Sequence, residues 1–165
     1  MYLKLYKPIK KILMIKIEVL IKDKNWKKYL SNPNRYLNSQ AKKINLKKYF
    51  RSKLINISIL LTGNNDLRLL NKKFRKKDKT TNVLSFPSYD QNTIRTELKS
   101  QKNLYLGDIA LNLYKIDRGK NKFKSEFDKL WVHGLVHLMG YKHYKNKDFF
   151  KMKKIEDKII KQLKC

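Results

Sequence analysis

All three histidines of this 165-residue chain fall inside one stretch, His133-Gly-Leu-Val-His137-Leu-Met-Gly-Tyr-Lys-His143. That spacing dictates a local fold. His133 and His137 stand four residues apart, so on a helix both imidazoles leave the same face. Gly140 can end such a helix, because glycine tolerates the left-handed backbone that a helix C-terminus commonly needs. A chain that turns there can bring His143 back to the point where the first two converge. Three neutral nitrogens around one point, with a fourth position open, make the layout of a catalytic zinc site. The plain alternative is three ordinary helix histidines. With no other histidine in the chain, metal binding is the stronger expectation.

Length and composition narrow what surrounds this feature. The length suits one domain with a hydrophobic core of its own. Apolar residues make up 41% of the chain, with ten Tyr and seven Phe, which argues against disorder. The one cysteine is Cys165, the last residue. It has no partner for an internal disulfide and is badly placed to ligate, so any metal site draws on His, Asp or Glu, and an intracellular, cytoplasmic location is expected. The formal charge is +28, from 41 Lys and Arg against 13 Asp and Glu. Such a charge attracts polyanions and disfavours a strongly basic partner. It is a modest pointer to nucleic acid, because Lys, Asn and Ile are abundant throughout, as in proteins encoded by AT-rich genomes. Lys4, Lys7, Lys10 and Lys11 precede an apolar run from Ile12 to Ile21, but Lys16 and Glu18 interrupt it and no small-residue cleavage site follows. No run approaches the length of a membrane span, so no membrane partner is expected.

Periodicity predicts a strand over Met14 to Ile21, then helix and loop from Lys24 to about Phe50, broken at Pro33. Ile55 to Leu61 alternates as a second strand. Thr62 to Asp66 reads as a turn with helix-capping residues, and Leu67, Leu70 and Phe74 mark one face of the following helix. Asn82 to Phe86 is a short strand stopped by Pro87, Ser88 to Asn103 a polar loop, and Leu104 to Leu113 a further strand. Phe127, Leu130, Trp131, Leu135 and Leu138 outline a long helix carrying the first two histidines. Lys147 to Leu163 is a last amphipathic helix with Phe150, Ile155, Ile159 and Leu163 as its apolar residues. The expected fold class is α+β, a single mixed sheet of about four strands with packed helices and a zincin-like metal-bearing helix.

The histidine spacing, H-x3-H-x2-G-x2-H, matches the metzincin zinc-protease pattern H-E-x-x-H-x-x-G-x-x-H save at one position. Gly134 stands where those proteases carry the Glu that serves as general base. The pattern therefore supports zinc strongly and peptide hydrolysis weakly. A metzincin-like zinc metalloprotease stays as the rival enzyme, and an RNA-binding module with structural zinc as a non-enzymatic one.

The stretch HGLVHLMGYKH also resembles the signature of the YbeY family of bacterial endoribonucleases, usually H-G-x-L-H-L-x-G-Y-D-H. Two further blocks carry the resemblance in the same order. Phe74-Arg-Lys-Lys-Asp-Lys-Thr-Thr-Asn-Val-Leu-Ser-Phe-Pro87 looks like Y-R-x-K-D-x-P-T-N-V-L-S-F-P, and Leu106-Gly-Asp-Ile-Ala-Leu111 looks like the L-G-D-[IL] strand. The likeness covers most of residues 14 to 163. Lys76 replaces a common Gly, Thr80 a Pro, Val136 a Leu, and Lys142 the usual Asp. The family starts near its first strand, so residues 1–13 read as an N-terminal extension or a misplaced start, and 14–165 as the catalytic domain.

The resemblance implies a zinc-dependent, single-strand-specific endoribonuclease concerned with maturation of the 3′ end of 16S rRNA and ribosome quality control. It implies one zinc per chain, held by His133, His137 and His143, which are also the catalytic candidates together with Arg75. Arg75, whose planar fork matches phosphate, and its neighbours in the second block, Lys77 and Asn82, are the substrate-binding candidates. The implied partners are single-stranded RNA, rRNA precursors and the ribosome, with a ribosomal protein or GTPase beside them. No carboxylate of the histidine motif can act as base, which leaves zinc hydroxide, a substrate phosphate or the RNA 2′-hydroxyl. Three His ligands also accept nickel or copper. Asp108 is a candidate partner for a ligand, though a strand-end Asp more often caps a turn. Asn82 to Phe86 is a candidate edge for an extended substrate. Tyr89, Tyr141 and Tyr144 are candidates for base stacking, with plain packing the commoner role.

Overall fold

The computed structural model describes residues 14–46, 54–119, 121–142 and 146–164. Residues 1–13, and with them the expected extension, lie outside the described residues, as do His143 and Tyr144. The chain order is β1 (Met14–Ile21), a 3-10 turn (Lys24–Lys28), α1 (Pro33–Lys43), β2 (Leu54–Thr62), α2 (Asn64–Arg75), β3 (Val83–Pro87), α3 (Thr93–Ser100), β4 (Asn103–Asn112), a second 3-10 turn (Leu113–Lys115), α4 (Phe123–Leu138) and α5 (Asn146–Leu163). The four strands form one sheet in the order β1-β2-β4-β3, parallel except that β3 runs antiparallel along β4 at the edge. The α+β expectation and its four-stranded mixed sheet are therefore met. No helix among the described residues is long and apolar enough to cross a membrane.

Alternation decides which face of the sheet is inside. Ile15 and Ile17 of β1 and Ile55, Ile57, Ile59 and Leu61 of β2 are all buried on one face, the two-residue period of a pleated strand. That face carries the main core under α1, α4 and α5. Among the described residues the other face carries α2, over a small cluster of Leu67, Leu84 and Ala110. In β4 the period slips. Leu104 and Leu106 point inward, then Ile109 and Leu111. A bulge causes this: the partner of Asn56 is Tyr105, but the partner of Ile57 is Gly107, so one extra residue reverses the parity of everything after it. Gly107 is required there. Its φ is +131°, and a Cβ would lie 2.1 Å from the Phe86 carbonyl oxygen.

Some local expectations are corrected. Ser88 to Asn103 is not all loop. It contains α3, whose start is fixed by the Asp90 carboxylate accepting from the backbone N–H groups of Asn92 and Thr93, both at 2.8 Å. Ile94 is its buried anchor, and so short a helix leaves little periodicity to detect. Pro33 does break the segment as expected: it separates the 3-10 turn from α1 and opens that helix, where its missing N–H costs nothing, behind an Asn32 side chain that accepts from Arg35 N–H at 2.9 Å. Phe150 is 69% exposed. The buried stripe of α5 is Met152, Ile155, Ile159 and Leu163, and a residue five before Ile155 falls well off that face at 3.6 residues per turn. Phe74 is likewise exposed and rests edge-on against Phe86, 5.0 Å between ring centroids.

Candidate functional site

The second half of helix α4 is apolar almost all round, with Trp131, Val132, Leu135, Val136 and Leu138 buried. It lies close on β4, and Gly134 is the reason it can. A Cβ at Gly134 would meet Ile109 Cγ2 at 2.8 Å and Cδ1 at 2.9 Å. Position 134 therefore faces the sheet, and a glutamate there would drive into the core.

His133 and His137 leave α4 on a half-buried side that opens into a cleft of about 690 Å³. Their Nε2 atoms are 3.1 Å apart and the two rings are nearly perpendicular, at 89°. Each Nδ1 has an oxygen partner on its far side. His137 Nδ1 lies 2.8 Å from the Tyr141 carbonyl oxygen. A carbonyl can only accept, so this Nδ1 carries the proton and Nε2 presents its lone pair. His133 Nδ1 lies 2.7 Å from Glu156 Oε1 on α5, and an ionised carboxylate imposes the same tautomer. The two Nε2 atoms face each other across 3.1 Å, a separation bridged either by a shared proton or by a common cation. Two nitrogens bound tetrahedrally at the zinc–nitrogen distance stand about 3.3 Å apart, so the donor pair fits such an ion.

The turn after α4 delivers one of these partners. Tyr141 N–H donates to Val136 O at 3.3 Å and Gly140 N–H to His137 O at 2.9 Å. Gly140 has φ +88°. This is the double closure of a left-handed C-cap, and it swings the Tyr141 carbonyl under His137. Gly140 thus ends the helix as expected.

Across the cleft stand the end of α2, the segment behind it and the edge strand β3. Arg75, Lys77, Lys79, Asn82, Ser85 and Lys142 all line it with the two imidazoles, and no Asp or Glu does among the described residues. Arg75 is the last residue of α2. Its guanidinium donates to the Ser85 carbonyl at 3.1 Å, which fixes the fork at the cleft wall. Lys76 then takes the left-handed conformation, φ 59°. Two asparagines hold the wall that follows. Asn71 donates to Lys79 O at 2.7 Å. Asn112, fully buried, donates to Asn64 Oδ1 (2.9 Å), Thr80 Oγ1 (2.9 Å) and Thr81 O (3.0 Å).

The structure thus brings His133, His137, Arg75, Lys77 and Asn82 to one cleft, with β3 as its edge strand. His143 lies outside the described residues. Asp108 is not in the cleft: the β4 bulge turns it to the opposite face, where it accepts from the Tyr105 hydroxyl at 2.7 Å. Tyr141 lines the cleft half-buried, and Tyr89 packs against the core. The residues that sequence reasoning missed are Glu156, Asn71 and Asn112. Glu156 had a faint signal, an acid bordering the apolar stripe of α5. The asparagines had none in a chain so rich in Asn.

Comparison with known proteins follows the same lines. The family model described as Endoribonuclease YbeY matches residues 16–164. The Endoribonuclease YbeY of Pelagibacter ubique (strain HTCC1062) is 39% identical over 155 residues, covering 92% of this chain and 97% of that protein. The protein of the same name from Wolbachia sp. subsp. Drosophila simulans (strain wRi) is 36% identical, covering 89% and 95%. The solution structure of TM1509 from Thermotoga maritima superposes with a TM-score of 0.52 at 23% identity, covering 89% of this chain and 88% of that one, and shares the fold.

Proposed function

This chain belongs to the endoribonuclease YbeY family, and from that premise we propose a zinc-dependent, single-strand-specific endoribonuclease of the cytoplasm. Its proposed task is ribosomal RNA maturation at the 3′ end of 16S rRNA and ribosome quality control, on rRNA precursors and the ribosome, beside a ribosomal protein or GTPase. The observation that carries the reading is the lining of the cleft. A convergent imidazole pair faces a wall of cations without a single acid among the described residues. Such a cleft concentrates a polyanion.

His133 and His137 would hold the zinc through Nε2, joined by His143. When bound, the ion supplies a Lewis acid for a phosphoryl oxygen and acidifies water toward neutral pH. The chain's own residues do the rest. Arg75, anchored by Ser85, places charged N–H donors where negative charge grows on the phosphate oxygens during displacement. Lys77 and Lys79 carry charge to flanking phosphates, and Asn82 offers an amide at the β3 edge. The cleft supplies no carboxylate base among the described residues, so the proton lost by the nucleophile, whether water or the RNA 2′-hydroxyl, would pass to bulk solvent or to a substrate phosphate oxygen. A metzincin-like protease is disfavoured on the same ground: its base would occupy position 134, which has no room for a side chain.

Zinc-loaded protein is incubated with end-labelled single-stranded RNA, with duplex RNA and with casein, beside His137→Ala and Arg75→Ala. The expected result is single-strand cleavage abolished in His137→Ala and slowed roughly 10²–10³-fold in Arg75→Ala. RNA cleavage undiminished in His137→Ala, or casein cleavage lost in that variant, overturns the proposal.

A further inference from the structure

The two histidines are oriented by different means. His137 is fixed by a backbone carbonyl of its own helix cap, but His133 is fixed from another element altogether. Glu156 reaches it from α5, with 2.7 Å between Oε1 and Nδ1. Glu156 is well placed to hold still. Met152, Ile155 and Ile159 on either side of it are buried against the core, so the backbone that carries the carboxylate is pinned to α4. Only 16% of its side chain is exposed. The nearby Lys153 is engaged elsewhere, by Asp157 at 2.9 Å. In a chain where Lys and Arg outnumber acids 41 to 13, a carboxylate half-hidden against an imidazole has a specific use. A free neutral imidazole favours the proton on Nε2, which would block the very atom that faces His137. An acceptor at Nδ1 reverses that preference, and a charged acceptor also makes Nε2 a better donor to a metal.

We propose that Glu156 is the positioning residue of this site: it locks His133 in the Nδ1–H tautomer with Nε2 turned to His137, and its charge strengthens zinc binding. This rests on the zinc reading above, and the two stand or fall separately in one set of measurements on the full chain. Metal-free protein is examined for the His133 tautomer by ¹⁵N NMR of its imidazole, and zinc affinity is then measured by competition with a chromophoric chelator. The variants are Glu156→Gln, Glu156→Ala and, as a neighbouring acid facing solvent, Asp157→Asn.

In the parent, His133 is expected as Nδ1–H. Glu156→Gln, which can still accept through its amide oxygen, should keep that tautomer yet bind zinc about 10-fold more weakly; Glu156→Ala should lose the tautomer and weaken zinc by about 10–100-fold. Asp157→Asn should match the parent in both. A parent His133 protonated on Nε2, or a Glu156→Ala variant with parental tautomer and affinity, overturns the proposal. A parent that takes up no zinc defeats the zinc reading, and the tautomer shift between parent and Glu156→Ala then decides the role of Glu156 alone. A purely structural role would change folding, read by circular dichroism, without moving the tautomer in the folded Gln variant away from the Ala pattern.

Discussion

Gly134→Ala sets two calculable effects against each other. On an open helix the change stabilises, because alanine loses less backbone entropy, by about 1 kcal/mol. Here the new methyl meets Ile109 Cγ2 at 2.8 Å, Cδ1 at 2.9 Å and Cγ1 at 3.1 Å. Ile109 is fully buried and β-branched, so its χ1 cannot swing aside cheaply. Overpacking of this kind costs about 1–3 kcal/mol. The packing cost wins, and the expected net loss is about 1 kcal/mol, or roughly 2–4 °C in Tm for a chain of this size. Urea titration followed by circular dichroism gives the midpoint and slope. Ile109→Val removes Cδ1 and by itself should cost about 0.5–1.5 kcal/mol. In the double variant the space partly returns, so the losses should fall short of their sum by at least about 0.5 kcal/mol. A Gly134→Ala protein more stable than the parent, or strictly additive losses, would mean that α4 has slack against β4 and that the size of residue 134 does not set the helix–sheet distance. Because His133 and His137 ride on α4, the same shift should also weaken zinc binding.

Three further outcomes are expected. Lys76 holds φ 59° at the end of α2, a conformation that costs a side-chain-bearing residue about 1 kcal/mol, so Lys76→Gly should raise stability by about that much in the same urea assay. Asn112→Ala removes the buried donor to Asn64, Thr80 and Thr81 and the acceptor for Tyr114 N–H, which should destabilise by about 1–3 kcal/mol and raise hydrogen exchange at residues 79–82. Burial raises the Asp128 carboxyl above its ordinary value, against the opposing hydrogen bonds from Trp131 and Tyr36. The folded chain then binds a proton more readily than the unfolded one. The contribution of Asp128 is accordingly largest below the unfolded pKa and is lost as pH rises through the raised folded value. Urea midpoints of Asp128→Asn across that window should lack this fall relative to the parent, and identical pH profiles would refute the assignment.

What the sequence made legible, and what it hid, follows from how far each signal reaches. The strands β1 and β2 alternate up to Leu61, and their inward residues could be named directly. His133, His137 and Gly140 obey a helical period and a helix-ending rule, both local, so the imidazole pair and the turn behind it were foreseeable. Asp108 was not, because its direction depends on a bulge in the pairing of β2 with β4, between residues far apart in sequence. Glu156 was not, because 23 residues and a helix–helix contact separate it from His133. Both cases concern which way a polar side chain faces, and in both a single change of register would reverse the chemistry. Without the bulge Asp108 would point into the apolar core, and a rotation of α5 by one residue, about 100°, would take Glu156 away from His133 and bring Asp157 or Ile155 round instead. The imidazole pair and the cap that orients His137 are thus carried by local motif, but the partner that orients His133 is set by tertiary register.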